Sequence, residues 1–453
     1  RGDALVRHPE ALVHGSAGSR ARRSGKLMRG KFNLFQRAML RWRELYPYSA
    51  VHAIRLQAPF DREQLACVIE RTLTELGLTG FVLDAHHKRF EYRGGAATVS
   101  LAVIETNDAD HEVDCEIERQ LNARFPDAGP YLPFRFFAIP AGNAFYLGIA
   151  YDHIVAGGDC IAVLLSTLTA RYQGDTTAAI APTLYPPTYQ RLFRRNVGRM
   201  LRALHRLPNL VHSCRHSVRP LFADAQDGRN EFVRYTLDGV QYRAVRDAAH
   251  RWGVTLNDAL LALLLHALDS MTQERRKARR RREIGVASIM NLRAEFGMDA
   301  RQVFGQFLGP MRLSHPVPEG VDVAQLAREV NVQTSRIKRE KLFLQNLIAL
   351  PVNALLWRFQ TRAQRCAFYA KGYPVSAGVT TLNIDALWQP GENREAPVYV
   401  RGVSTGPLAP VVVAVTTSGP RLEAGLSYRT TALTRNDVAR LWSGVLDGLR
   451  TLQ

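Results

Sequence analysis

Apolar and polar residues follow two different periods along this chain, and together they predict a mixture of helices and strands. Residues 32–45 and residues 61–76 place apolar side chains at helical spacing, and Asp61 stands where a helix N-cap is expected. Between these two helices, residues 50–57 predict a strand. The N-terminal part of the chain is therefore expected to alternate helices with strands.

Residues 131–152 predict a β-hairpin, because two stretches rich in β-forming residues flank the turn signal Ala141-Gly142-Asn143. The second strand ends next to His153, and an apolar helix follows from Cys160. His153 is thus expected at a junction between a strand and a helix. At such a place rigid elements hold the backbone while the side chain can reach a cleft.

The rest of the chain repeats this mixture. Residues 174–190 contain three prolines and predict a bridge, and residues 191–207 predict one helix with a basic face. Strands are expected at residues 375–384 and within residues 408–430, before a final amphipathic helix. The predicted organisation is a flexible basic arm (1–31), an N-terminal half carrying His153 (32–173), a linker with the basic helix (174–230) and a C-terminal half (231–453).

Length and composition fit two α/β layers that lie side by side. A chain of 453 residues is too long for one ordinary core, and no run of about 18 uncharged apolar residues predicts a membrane span. The basic N-terminal stretch lacks the apolar core of an export signal. The 5 cysteines are scattered without CxxC spacing, which favours a reducing compartment and neither a disulfide framework nor a zinc site. We therefore expect a cytoplasmic protein, either free or peripheral to a membrane.

The formal net charge of +19 is the strongest anomaly of composition. Such an excess attracts anionic partners: nucleic acid, anionic lipid, the phosphates of coenzyme A or an acidic carrier protein. No nucleic-acid-binding signature accompanies the charge, so we expect no nucleic-acid partner. The basic helix at 191–207 is either a solvated face or a surface for an anionic membrane or an acidic partner.

Several stretches stand in an order that resembles one known superfamily. The chain resembles, over residues 32–453, the coenzyme A-dependent acyltransferases with the chloramphenicol acetyltransferase-like fold, which include condensation domains, polyketide-associated acyltransferases and wax ester synthases. The motif of this superfamily is HHxxxDG, and here it is degenerate. The matching stretches are Asp152-His153-Ile154-Val155-Ala156-Gly157-Gly158, GVTLNDALLALLLHAL, IGVASIMNLR, FGQFLGPMRL and the final hairpin and helix from Leu408.

The resemblance implies an α/β fold of two such halves, arranged as a V-shaped pseudo-dimer with a central tunnel. It also implies transfer of an acyl group from a thioester, on an acidic carrier protein or on coenzyme A, to a small amine or alcohol, in natural-product or lipid biosynthesis. Acyl-CoA or a phosphopantetheinyl carrier would be the co-substrate, with no permanently bound cofactor and no metal. Because no adenylation or carrier segment is seen, the enzyme is expected to act alone. Two alternatives stay open: a non-catalytic member that binds a partner, and a membrane-associated wax ester or diacylglycerol acyltransferase.

The resemblance makes His153 the general base, since a neutral imidazole with a pKa near 6.5 accepts a proton near neutral pH. In the superfamily the motif aspartate pairs with an arginine and holds the loop. Arg293 is expected to be that arginine, but Gly157 stands where the aspartate should be. Asp159 or Asp152 is expected to replace it.

The remaining candidates surround this motif. Gly158 is expected to support the loop, and Asn291 and Ser376 are expected to contact substrate. Asp152 either orients His153, binds the amine of the acceptor or faces solvent. Cys160 is a less favoured candidate for a thiol nucleophile, because it opens a helix.

Overall fold

The computed structural model describes residues 28–175, 183–184, 189–273, 280–301, 303–388 and 397–450. Most of the predicted arm, residues 1–27, lies outside this part of the chain, as does most of the proline-containing bridge. Met28–Lys31 (β1), however, is a strand that pairs antiparallel with Arg89–Tyr92 (β4). The predicted boundary at residue 31 is therefore wrong, because residues 28–31 pair with a strand of the N-terminal half.

The N-terminal half is built on two sheets, and its predicted elements are confirmed. Asp61 caps its helix as expected, accepting a hydrogen bond from the N–H of Gln64 at 2.9 Å. The larger sheet runs in the order Tyr399–Val403 (β15), Ser49–Leu56 (β2), Ala144–Asp152 (β8), Phe134–Ala141 (β7) and Leu101–Val103 (β5). The smaller sheet runs β1, β4, Phe81–Asp84 (β3) and Gly129–Pro130 (β6). The helices are Leu34–Leu45 (α1), Arg62–Glu75 (α2), Ala109–Asn122 (α3) and Gly158–Tyr172 (α4).

Among its described residues, the linker contains three short helices where the sequence predicted one. They are Gln190–Arg195 (α5), Val197–His205 (α6) and Leu207–His216 (α7). The predicted helix over 191–207 breaks at Asn196, whose φ of −126° leaves the helical region and whose side-chain amide donates to the carbonyl of Leu192 at 2.8 Å. A polar side chain that bonds to the local backbone competes with helical hydrogen bonds in this way. Before the helices, Thr183–Leu184 (β9) pairs with Val303–Phe304 (β12).

In the described residues, the C-terminal half comprises one mixed six-stranded sheet and seven helices. Its predicted strands at 375–384 and 408–430 are confirmed. The sheet runs Asn230–Leu237 (β10), Arg421–Arg429 (β17), Val411–Ser418 (β16), Ala377–Asn383 (β14), Ile284–Asn291 (β11) and Leu308–His315 (β13). The helices are Gly239–Trp252 (α8), Leu256–Thr272 (α9), Arg293–Phe296 (α10), Val323–Arg339 (α11), Phe343–Trp357 (α12), Arg362–Gly372 (α13) and Arg435–Arg450 (α14).

Of the helices that the structure describes, none is by itself long and apolar enough to cross a membrane. The bent pair α8 and α9 passes the same test of length and composition when the two are taken together.

Strand β15 belongs to the C-terminal half by sequence but completes the N-terminal sheet. It pairs antiparallel with β2, with Tyr399 opposite Ile54 and Val403 opposite Ala50. The predicted division of the chain at residue 231 is therefore incomplete. Strand β15 crosses β17 at close range. A Cβ built on Gly425 of β17 would lie 1.9 Å from the carbonyl oxygen of Arg401 on β15.

The crossing of β15 over β17 predicts a specific cost for any side chain at residue 425. Gly425→Ala should lower the free energy of unfolding by about 1–3 kcal/mol, as overpacking of a core does, because the added methyl group meets backbone that cannot rotate away. Chemical denaturation measures this change. Gly198→Ala is the matched control, since no atom lies within 4 Å of a Cβ at that helical position. The control should be neutral or stabilising, and equal effects of the two substitutions would contradict the crossing.

Candidate active site

His153 lies between two rigid elements, as predicted. Strand β8 ends at Asp152 and helix α4 begins at Gly158. The half-buried imidazole stacks on the ring of Tyr48, with 5.8 Å between centroids, and meets the edge of Tyr151 at 5.5 Å. These two aromatic contacts fix the plane of the ring.

The hydrogen bond of His153 assigns its tautomer. Nδ1 lies 3.3 Å from the carbonyl oxygen of Ala156, and because a carbonyl can only accept, Nδ1 carries the proton. Nε2 then keeps its lone pair. Within the part of the chain that the structure describes, no group hydrogen-bonds to Nε2, so this atom is free to accept a proton from a bound molecule.

His153 lines a cavity of about 280 Å³ between the two halves of the molecule. The N-terminal half contributes aromatic and imidazole side chains to the wall, and the C-terminal half contributes mostly small and aliphatic ones. Principal lining residues are Phe35, Tyr48, His52, Tyr151, His153, Ser288, Asn291, Val375, Thr380, Arg401 and Ala409. The expected cleft at the end of β8 is therefore present.

Burial lowers the pKa of His153 to about 4; the hydrogen bond to the Ala156 carbonyl raises it, and the positive charge of Arg401 lowers it further. The expected value near 6.5 is corrected accordingly. The ring is neutral at pH 7 and throughout the mildly acidic range.

Asp152 is buried and does not contact solvent. Its carboxylate lies 3.1 Å from Nη2 of Arg43, accepts a hydrogen bond from the hydroxyl of Tyr131 at 2.6 Å and lies 3.4 Å from the N–H of Ile154. Burial raises its pKa. Asp152 therefore neither faces solvent nor reaches His153 through a hydrogen bond, and it is engaged away from an incoming amine. It holds the backbone of the loop.

Asp159, one of the two acids expected to pair with Arg293, forms this ion pair. Its carboxylate lies 2.6 Å from Nε of Arg293 and accepts a hydrogen bond from Nδ2 of Asn291 at 2.7 Å, and both charged side chains are buried. A Cβ built on Gly157 would lie only 2.7 Å from Oδ1 of Asp159. The Asp159 carboxylate thus lies over Gly157. A side chain at residue 157 would collide with it, so this position of the carboxylate requires a glycine there.

Arg293 ties the loop to a segment of the C-terminal half. Its guanidinium donates to the carbonyls of Val303 at 2.8 Å and Gly305 at 2.9 Å. The same segment bonds to the loop directly, because Gly157 donates its N–H to Gly305 and the side chain of Gln306 donates to the carbonyl of His153 at 2.6 Å. The position of His153 therefore depends on both halves.

The other predicted residues have different positions. Asn291 lines the cavity, but both of its polar side-chain atoms are used within the protein, by Asp159 and by the N–H of Arg293. Ser376 is buried beside the cavity and is not one of its lining residues. Burial and the charge of Asp159 raise the pKa of Cys160 to about 12, so this thiol is not a nucleophile at neutral pH.

Sequence analysis missed His52 and Arg401, which line the same cavity. His52 lies inside the predicted strand 50–57, where a single imidazole among apolar residues was the available signal. Arg401 lies on β15, which the hydrophobic pattern did not predict. Their approach depends on the pairing of β15 with β2, and no local pattern encodes that pairing.

The dependence between Gly157 and Asp159 can be tested by moving the carboxylate from residue 159 to residue 157. Asp159→Ser should destabilise the protein by about 3–5 kcal/mol, because it leaves a buried guanidinium without a counter-charge. Gly157→Asp alone should also destabilise, since its Cβ meets the Asp159 carboxylate. The double variant Gly157→Asp/Asp159→Ser should recover most of the loss, as measured by chemical denaturation. Strict additivity of the two single effects would refute the exchange.

The protonation of His153 can be followed by NMR. We expect its imidazole resonances to stay those of the neutral ring from pH 7.5 down to pH 5, because the pKa lies near 4. His153→Ala identifies the resonances by their loss. Since the unfolded chain binds this proton near pH 6.5 and the folded chain near pH 4, the group reduces stability progressively as the pH falls through that window. Half-protonation near pH 6.5 would contradict the burial argument.

Comparison with known proteins identifies the fold. No family model matches the sequence, and no curated protein matches it. Solved structures do match over nearly the whole chain. The first condensation domain of the calcium-dependent antibiotic synthetase, bound to a substrate analogue, aligns with a TM-score of 0.68 at 16% identity, covering 94% of this chain and 97% of that one.

Two further structures give similar values. The condensation domain of the monacolin K polyketide synthase aligns with a TM-score of 0.65 at 11% identity, covering 94% of this chain and 97% of its own. The SgcC5 protein from Streptomyces globisporus aligns with a TM-score of 0.64 at 14% identity, covering 93% and 98%. The chain therefore has the chloramphenicol acetyltransferase-like fold of condensation domains, a pseudo-dimer of two α/β halves with the His153 cavity between them.

Proposed function

We propose that this protein is an acyltransferase that moves an acyl group from a thioester to an amine or hydroxyl acceptor, with His153 as the general base. One observation carries the proposal: a neutral imidazole lines a cavity between the two halves, with Nδ1 bonded to Ala156 and Nε2 free of any partner among the described residues. The fold that this chain shares with solved condensation domains supports the same class of reaction.

The arrangement supports the following reaction. The acceptor N–H or O–H gives its proton to Nε2 of His153 while the acceptor atom attacks the thioester carbonyl. The tetrahedral intermediate then collapses, the C–S bond breaks, and the departing thiolate takes the proton back from the imidazolium. A ring whose pKa is near 4 is a modest base but a strong conjugate acid, which favours protonation of the leaving group.

Helix α4 begins at the cavity wall, at Gly158, which is itself a lining residue. The first N–H groups of a helix have no intrahelical acceptor, and they carry partial positive charge. Donors of this kind suit an oxyanion that develops on the thioester carbonyl. The geometry therefore supports a transferase in which α4 assists and His153 moves the proton.

The surface charge supports an anionic thioester donor. Arg194, Arg195, Arg199 and Arg202 are exposed on α5 and α6, and no acidic residue occurs in the sequence between Asp175 and Asp224. The phosphates of coenzyme A and an acidic carrier protein both match a basic surface of this kind. The donor is accordingly proposed as acyl-CoA or an acylated phosphopantetheine arm.

A panel of acyl thioesters incubated with amines and alcohols tests the proposal, with products detected by mass spectrometry. His153→Ala should lower the rate of transfer by about 10²- to 10⁴-fold, the usual contribution of a positioned base, without changing the midpoint of unfolding. His87→Ala, which removes an exposed histidine bonded to Asp84, is the matched control and should keep full activity. Undiminished transfer by His153→Ala would remove His153 from the mechanism. No transfer from any thioester by the wild type would favour the non-catalytic, partner-binding alternative.

A further inference from the structure

Two polar side chains lie side by side on the paired strands β2 and β15. His52 on β2 and Arg401 on β15 are directly opposed in the antiparallel register, so their side chains lie on the same face of the sheet. They are 1% and 3% exposed, and both line the His153 cavity. A histidine and an arginine are therefore buried side by side in the wall of the candidate active site.

Arg401 is held firmly but is not neutralised. Its Nε donates to Oγ1 of Thr416 at 2.8 Å, and its Nη2 lies 2.5 Å from the carbonyl oxygen of Val415 and 3.2 Å from that of Thr380. These acceptors are all uncharged. No carboxylate among the described residues forms an ion pair with Arg401, and Nη1 is left without a partner there. Burial of a guanidinium without a counter-charge is expensive, so a retained one points to an anion that arrives from outside.

His52 adds a second unpartnered polar atom. Its Nδ1 lies 2.7 Å from the hydroxyl of Tyr399. Its Nε2 is buried with no hydrogen-bond partner in the described part of the chain. A buried polar atom without a partner is costly. In the tautomer in which the Tyr399 hydroxyl donates to Nδ1, Nε2 carries the ring proton and becomes a donor for an anion.

The two unused groups converge on one point at the start of α4. A Cβ built on Gly158 would lie 3.4 Å from Nε2 of His52 and 3.5 Å from Nη1 of Arg401. The absence of a side chain at Gly158 therefore leaves a small cradle between an imidazole, a guanidinium and the positive end of a 15-residue helix. All three groups favour a negatively charged ligand.

We propose that Arg401, His52 and Gly158 form a subsite for a carboxylate carried by the molecule that reacts at His153. Tyr151 contacts the His52 ring at 5.6 Å and the His153 ring at 5.5 Å, so the subsite lies one tyrosine ring away from the base. The carboxylate is thus only a few bonds from the reacting group. This inference rests on the proposed function and narrows its substrate class to an amino or hydroxy acid acceptor, or to an acyl chain that ends in a carboxylate.

Binding of small carboxylates tests the subsite without requiring turnover. The probes are butyrate, 3-hydroxybutyrate and β-alanine, each compared with its methyl ester, in a titration followed by the NMR signals of His52 and His153. The acids should bind and the esters should not. Arg401→Gln should weaken binding of the acids by about 10- to 100-fold, the range of a lost charge-assisted hydrogen bond. Gly158→Ala, which fills the cradle and keeps the charge, should weaken it similarly if Arg401→Gln fails to fold. Arg421→Gln, an arginine on β17 beside Glu423, is the matched control.

Two outcomes separate this inference from the proposed function. Because His153→Ala leaves the cradle intact, it should bind the acids like the wild type even if it transfers nothing. Binding that depends on Arg401 without any acyl transfer would sustain the subsite and overturn the transferase. Transfer to amines and alcohols that lack a carboxylate, with Arg401→Gln as active as the wild type, would overturn the subsite alone.

Activity then identifies which substrate carries the carboxylate. Acceptors with and without a carboxylate are tested against a neutral acyl thioester, and donors with and without a terminal carboxylate are tested against a neutral acceptor. Arg401→Gln should raise KM selectively for the partner that carries the acid. If Arg401→Gln instead lowers kcat equally for all pairs, Arg401 stabilises the oxyanion of the reaction and the carboxylate subsite is refuted.

Discussion

The buried ion pair between Asp159 and Arg293 joins the two halves of the molecule at the loop that carries His153. Taking both charges out of water is costly, and the cost is offset only where the remaining donors and acceptors are satisfied. Here Asn291 bonds to the carboxylate, and the carbonyls of Val303 and Gly305 accept from the guanidinium. These bonds join the loop to the start of α4 and to the segment that begins with β12. They therefore determine where the loop places the imidazole of His153.

A second acid–arginine pair supports the loop from the other side. Asp152 and Arg43 are buried in the N-terminal half, with Tyr131 as an additional donor to the carboxylate. The two pairs flank His153 in the chain, one before it and one after it. The imidazole itself touches neither acid and is fixed by Ala156, Tyr48 and Tyr151. Within the described residues no carboxylate bonds to the ring, unlike a histidine of a catalytic triad, whose imidazolium an aspartate stabilises.

Much of the fold was predictable because local pattern determines it. The helix behind Asp61, the hairpin over 131–152 and the strand-to-helix junction at His153 all follow from periodicity, capping and turn residues within a few positions of each other. The strand β15 was not predictable in this way, since its partner β2 lies more than 300 residues earlier in the chain. The sequence left two candidates, Asp159 and Asp152, for the acid that pairs with Arg293. It could not decide between them, because it does not show in which direction each carboxylate points. Arg401 was not predicted as a site residue, because the strand that carries it was not predicted.

The electrostatics of the cavity connect the subsite with the base. Burial is the main cause that lowers the pKa of His52 and of His153, and Arg401 lowers both further, because an unneutralised guanidinium in a buried wall disfavours a second positive charge nearby. A carboxylate placed against Arg401 would cancel part of this field and so raise the pKa of His153, while the larger lowering by burial remains. Binding and protonation are reciprocal, and the same interaction strengthens binding of the anion when the imidazolium forms. The base would therefore be weakest in the empty cavity and stronger once an acidic substrate has entered, which couples proton transfer to the presence of the correct molecule.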